Sequence, residues 1–145
     1  MIVLDANILI RAILGRAVRQ LLDRYAAQGL RFFAPDVAFD DAQKYLPSLL
    51  HKRGKPEVDV AGSLAYLRTI IEPVDRGLYS IFEREARDRL RSREESDWPV
   101  LACALALSRG IWTEDTDFFG TGHRCLDNKP YRDFPEVHSG DKPIR

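Results

Sequence analysis

The sequence is poor in soft metal ligands and in disulfide partners: it has two Cys, one Met and three His in 145 residues. Two cysteines exclude a disulfide-stapled scaffold. His51, His123 and His138 share no metal-ligand spacing, which argues against a zinc site. No run of eighteen apolar residues occurs, so no membrane-spanning helix is expected. The opening MIVLDANILI is apolar but broken by Asp5, with no basic segment before it and no small-residue cleavage site after it, unlike a signal peptide. Cys103 and Cys125 are then expected as reduced thiols in a cytoplasmic protein. Net charge is missing too: 22 Lys+Arg balance 22 Asp+Glu, which argues against a polybasic nucleic-acid coat. Lysine is scarce among the cations. Arginine supplies most of them, a bias that suits a phosphate-bearing partner and that a GC-rich genome produces equally.

What is present is a core. Hydrophobic residues make up 45% of the chain, enough for one ordinary domain over residues 1–145. Residues 1–4 read as a short buried strand, and ANILIRAIL as a helix ending at Gly15. The next helix runs over 16–28 and stops at Gly29. Strand two is expected over 30–34, then a helix from Pro35 and Asp36 to about His51 that Pro47 would kink. A helix over 58–70, a strand IIEPV and one charged helix over 78–92 follow. Ser96 and Asp97 read as the N-cap of WPVLACALAL, apolar on nearly every face and therefore a buried helix that Gly110 ends. Residues 111–113 are a fourth strand. The core is expected over 1–122, with an edge strand at RCLDN and a loose tail within 123–145. Strands alternating with helices imply parallel β–α–β units, hence an α/β fold: a three-layer α/β/α sandwich on a parallel sheet of four to five strands.

In such sheets ligands bind beyond the carboxyl ends of the strands. Asp5 follows the first strand, and Asp115 and Asp117 follow the fourth. Asp40 and Asp41 lie early in the helix after strand two, and Asp97 heads the buried helix. Each has an ordinary explanation as a cap, a turn residue or a partner of the helix dipole. Grouped at neighbouring strand ends they would repel, at about 4 kcal/mol for a pair 4 Å apart at an effective dielectric of 20. A cation offsets that, and hard oxygen donors without His or Cys suit Mg²⁺ or Mn²⁺.

VLDANIL, PDVAFDD and above all SDWPVLACALALSRGIWTEDTDFFG resemble a PIN domain in order and spacing, from residue 1 to about residue 122. The segment from Asp97 to the Thr113–x–Asp115–x–Asp117 run carries most of the resemblance. The likeness implies a metal-dependent nuclease with a PIN-like three-layer fold. It carries Asp5, Asp41, Asp97 and Asp115 over as catalytic acids, with Asp5, Asp97, Asp115 and Asp117 as metal ligands. The second acid is normally Glu. Here Asp41, preceded by Asp40, stands in its place one methylene shorter, which favours a water-mediated contact. Asn7 and Thr113 match polar positions that orient carboxylates or bind a phosphate oxygen.

The resemblance also implies single-stranded RNA as substrate, in-line cleavage to a 5′-phosphate and a 3′-hydroxyl, a homodimer, and a VapC-like toxin role with a small antitoxin partner. Arg11, Arg16, Lys44, Lys52 and Arg53, with Lys55, are candidate substrate-binding cations, although charges at a helix C-terminus also favour its dipole. Arg84, Arg87, Arg89, Arg91 and Arg93 alternate with acids and read as a solvated, ion-paired helix. Two other classes compete: a PIN-fold binding or regulatory protein with weak or no nuclease activity, and a haloacid-dehalogenase-type phosphatase. The phosphatase needs an acid where Asn7 stands.

Overall fold

The computed structural model describes residues 1–91 and 95–112, and the backbone of 125–126. In chain order the elements are β1 (Ile2–Leu4), α1 (Ala6–Leu14), α2 (Ala17–Ala27), β2 (Phe32–Pro35), α3 (Asp36–Lys52), α4 (Val60–Ile70) and β3 (Ile71–Val74). Then come α5 (Arg76–Tyr79), a 3₁₀ turn (Ser80–Phe82), α6 (Glu83–Arg89), a second 3₁₀ turn (Glu95–Asp97), α7 (Trp98–Leu107), β4 (Gly110–Trp112) and β5 (Cys125–Leu126). The five strands form one all-parallel sheet in the order β3-β2-β1-β4-β5. This is the α/β/α sandwich the alternation implies.

Strand residues alternate between faces, so β1 to β4 each feed two cores. Ile2, Leu4, Phe32, Ala34, Ile71 and Trp112 join one apolar cluster with α1 to α4. Val3, Phe33, Val74 and Ile111 join the other with Tyr79, Ala86, Leu90 and α7. α7 packs across β1, β2 and β4, which explains why its sequence has no polar face. No helix among the described residues is long and apolar enough to cross a membrane.

The boundaries that differ from the sequence reading do so for local reasons. Strand two starts at Phe32 rather than residue 30 because Leu30 completes the end of α2. Its N–H bonds to Tyr25 O at 3.0 Å, and that of Gly29 bonds to Ala26 O at 3.0 Å, with Gly29 at φ +90°. α7 ends at Leu107, as read, by the same pattern, but Ser108 rather than Gly110 takes the left-handed position. Ser108 has φ +53°, and the Arg109 N–H reaches back to Ala104 O at 3.0 Å. Gly110 therefore opens β4, and Thr113, expected in that strand, lies outside the described residues.

The expected charged helix over 78–92 is broken into α5, a 3₁₀ turn and α6. Tyr79 and Phe82 are three residues apart, and the tighter turn sets both toward the second core. α3 runs through Pro47 to Lys52 without ending.

Ser108 and Gly29 make a paired test of these helix ends. Ser108→Gly removes the left-handed cost and is expected to stabilise the fold by about 1 kcal/mol. Gly29→Ala is expected to destabilise it by about the same. Urea denaturation midpoints at constant slope check both signs.

Candidate active site

The chain runs from β1 to β2 and β3 on one side, then returns to lay β4 on the other side of β1. The switch point of strand order is therefore between β1 and β4, where the carboxyl ends of adjacent strands diverge into loops. Leu4 and Trp112 are in register there. Asp5 is the next residue after Leu4 and is only 4% exposed, the sole buried charged side chain among the described residues.

Its placement has two causes. β1 ends beneath α1, and Asp5 turns the chain into that helix with an extended backbone (φ −88°, ψ 171°). Its Oδ1 accepts the Ile8 N–H at 3.0 Å, so the residue does cap the helix. A cap, however, works as well at the surface. Burial takes this carboxylate out of water, and the first turn of α1 carries no other acid. Asn7 lies exposed in the same turn.

Asp97 occupies the N-cap position of α7, as read, but its side chain makes no capping hydrogen bond. The chain enters the helix through a 3₁₀ turn, leaving Asp97 at φ −80°, ψ 4° with no capping hydrogen bond. Pro99, just inside the helix, removes one first-turn N–H. The N-cap position read for Asp97 holds, without the side-chain bond that a cap usually supplies.

The head of α7 is held at the carboxyl end of β2 by a tie that sequence reading missed. Asp36, the first residue after β2, accepts the Tyr79 hydroxyl at 2.7 Å and the Val37 N–H at 2.8 Å on Oδ1, and the Arg76 N–H at 3.2 Å on Oδ2. Tyr79 in turn packs on Trp98, with ring centroids 5.7 Å apart, while the Arg76 and Arg87 guanidinium groups stand over the Trp98 ring at 5.4 and 5.3 Å. Asp36 thus does structural work beyond offsetting the helix dipole. No local pattern signals it, because its partner Tyr79 is 43 residues away.

Burial, followed by the hydrogen bond to Asp36 and its charge, pushes the Tyr79 phenol well above its usual value. Burial first, and then the Asp36 charge, push the Cys103 thiol up to about 12, so this buried cysteine is held as a thiol rather than a reactive thiolate.

Asp40 and Asp41 are exposed on α3. The Asp41 carboxyl is nonetheless raised from its ordinary value. Partial desolvation is the main cause and the neighbouring Asp40 charge adds to it, while Lys44 opposes it. Arg11 and Arg16 are exposed on α1 and just beyond it; Lys44, Lys52 and Arg53 are exposed along and past α3. Asp115 and Asp117 lie outside the described residues. Among the described residues no three His, Cys, Asp or Glu side chains gather closely enough to hold a metal ion. Asp5, Asp41 and Asp97 do not by themselves form a cation cage.

The sequence model of the PIN domain family matches residues 3–131. The chain belongs to the PIN domain family. PIN domains are generally nucleases that use divalent metals. A chain from the solved structure of FitAB bound to an IR36 DNA fragment is similar to this PIN domain over 88% of this chain and 94% of its own, at 18% identity and a TM-score of 0.54. At that identity the likeness is one of fold. No curated protein matches this sequence.

Removing the Tyr79 hydroxyl tests the tie that orients α7 in this PIN domain. Tyr79→Phe leaves the Asp36 carboxylate short of a donor and is expected to cost about 1.5–3 kcal/mol, the range for a hydrogen bond to a charged group. The pH dependence has a definite sign. A phenol raised on folding contributes stability that is fully present below its unfolded value near 10 and is lost as pH rises toward its folded value. Wild type is therefore expected to lose stability above pH 10 more steeply than Tyr79→Phe, as read by denaturation midpoints across that range.

Proposed function

We propose that this PIN domain is a divalent-metal-dependent endoribonuclease acting on single-stranded RNA. The observation that carries the reading is Asp5: a buried carboxylate at the carboxyl end of the central strand, beside the switch point, in a family whose members are generally nucleases. The donor set fits a hard cation, because it consists of carboxylate oxygens with no His or Cys in it. Asp5, Asp97, Asp115 and Asp117 are the proposed ligands, with Asp41 acting through a water.

A Mg²⁺ or Mn²⁺ bound there would supply Lewis acidity and offset the charge that builds on the scissile phosphate. The chain's own residues supply the rest. Asp5 holds its orientation through the Ile8 N–H, so one oxygen is fixed by the helix while the carboxylate stays in a low-dielectric setting. Asp41 is the proposed further acid, its carboxyl raised from its ordinary value chiefly by partial desolvation. Asn7 and Thr113 orient carboxylates or bind a phosphate oxygen.

The proposed biological role is the toxin of a toxin–antitoxin pair in the cytoplasm, silenced by a small antitoxin protein and working as a homodimer. Leu78 and Ile81 stand exposed beside α6 and offer an apolar patch for such protein contacts. The substitution of Asp for Glu at position 41 favours a second reading, a PIN-fold binding or regulatory protein without nuclease activity.

Asp5→Asn separates the two. Asn caps a helix as well as Asp does, so the fold is expected to survive, as circular dichroism would read. Cleavage of single-stranded RNA with Mn²⁺ or Mg²⁺ is expected to fall about a hundredfold or more, the rate equivalent of several kcal/mol of charge stabilisation. Chelator is expected to stop the wild-type reaction. Equal cleavage by wild type and Asp5→Asn overturns the assignment, and absence of both cleavage and Mn²⁺ binding by calorimetry selects the binding reading.

A further inference from the structure

α3 buries one face and leaves the other without a structural task. Ala38, Phe39, Ala42, Leu46 and Leu50 point into the first core. Asp41, Lys44, Tyr45, Ser48 and Lys52 follow at spacings of three, four, seven and eleven from Asp41, so they share one face of the helix, and all five are exposed. From residue 42 to residue 56 the chain has no acid, while Lys44, Lys52, Arg53 and Lys55 supply positive charge. The helix dipole accounts for Lys52 in the last turn, but not for Lys44 or for an aromatic ring in mid-helix.

Tyr45 is 50% exposed, although Ala42 and Leu46 beside it satisfy the core. The Lys44 ammonium lies over its ring at 5.2 Å. The other exposed tyrosine of this layer is already employed. Tyr66 has the Arg19 guanidinium 4.3 Å from its ring centroid and donates its hydroxyl to Asp23, bracing α4 on α2. The cation over Tyr45 comes from its own helix, so the ring braces no second element as Tyr66 does.

An exposed ring with flanking cations is the pairing by which proteins hold single strands. Bases stack on the aromatic face, and the ammonium groups meet the phosphates. From Asp41 to Lys52 the stripe is about 16 Å long, the length of about five stacked nucleotides. We propose that the outer face of α3 is a single-strand track, with Tyr45 as its base-stacking platform and Lys44 and Lys52 as its phosphate contacts. The track leads a single-stranded nucleic acid toward Asp41. It rests on the reading of that edge as the nuclease site and extends it by naming where the strand lies outside the acids.

Fluorescence anisotropy with a labelled 12-nucleotide single-stranded RNA in EDTA reads binding without cleavage. Tyr45→Ala is expected to weaken binding about tenfold, within the range for one stacked base, and Tyr45→Phe to bind as wild type. Lys44→Ala with Lys52→Ala is expected to reduce the slope of log affinity against log salt by about 1.4, two phosphates' worth for a single strand. A blunt duplex of the same length is expected to be indifferent to Tyr45→Ala, since its bases are already stacked.

Wild-type affinity in Tyr45→Ala overturns the track, as does an equal loss in Tyr45→Phe or an equal loss on duplex. The nuclease reading fails separately. If Asp5→Asn leaves cleavage unchanged while Tyr45→Ala still loses single-strand binding, the track stands as a binding surface.

Discussion

A parallel sheet leaves no face for water, and that constraint organises this molecule. β1 is only three residues long and has a strand on each side and a helical layer above and below. Every residue in it must be apolar, and is. The same demand makes α7 apolar all round, because it lies across three strands and is packed by α5 and α6 outside. With both faces sealed, the ends of the strands are the only places where polar side chains from several strands can meet. Asp5 stands at such an end, and its burial beside the switch point is the clearest departure from an otherwise apolar interior.

The two helical layers do different work around that edge. The layer of α5 to α7 fixes positions. Asp36, Tyr79 and Trp98 form a chain of contacts from the end of β2 to the head of α7, with two arginines over the indole. The ion pairs of α6, Arg87 with Glu83 and Arg89 with Glu85, are one-turn pairs on a partly exposed surface, and such pairs are worth little each. They solvate the layer rather than hold it. The layer of α1 to α4 presents surface instead: α3 starts at the carboxyl end of β2, with Asp41 in its second turn and its cations further along the helix.

The zero net charge belongs to this division. Averaged over the chain, 22 acids cancel 22 bases and the protein resembles neither an acidic nor a basic binder. Locally the averages separate. The stretch 42–56 is free of acids, whereas 83–91 mixes both signs within single turns. A phosphate chain responds to the local field within a Debye length of about 10 Å, not to the sum over the molecule.

Short-range pattern was enough for much of this. Alternation within strands, helical spacing and turn chemistry marked nearly every element, including the full length of α7 and the role of Gly29. The reason is that these features act over one strand or a few helical turns, and the sequence carries that range directly. The acids at strand ends were legible for the same reason, since Asp5 follows Leu4 whatever the rest of the chain does.

What only the tertiary structure decided involves partners far apart in sequence. Asp36 finds Tyr79, forty-three residues on, because β2 and β3 pair and α5 follows β3. Asp97 heads α7 from a 3₁₀ turn and caps it without a side-chain bond. Tyr66 is consumed by α2 because α4 packs on α2, whereas Tyr45 faces outward on α3. Such outcomes depend on strand order and layer packing, which are set by burying the whole apolar surface at once and are written in no single segment.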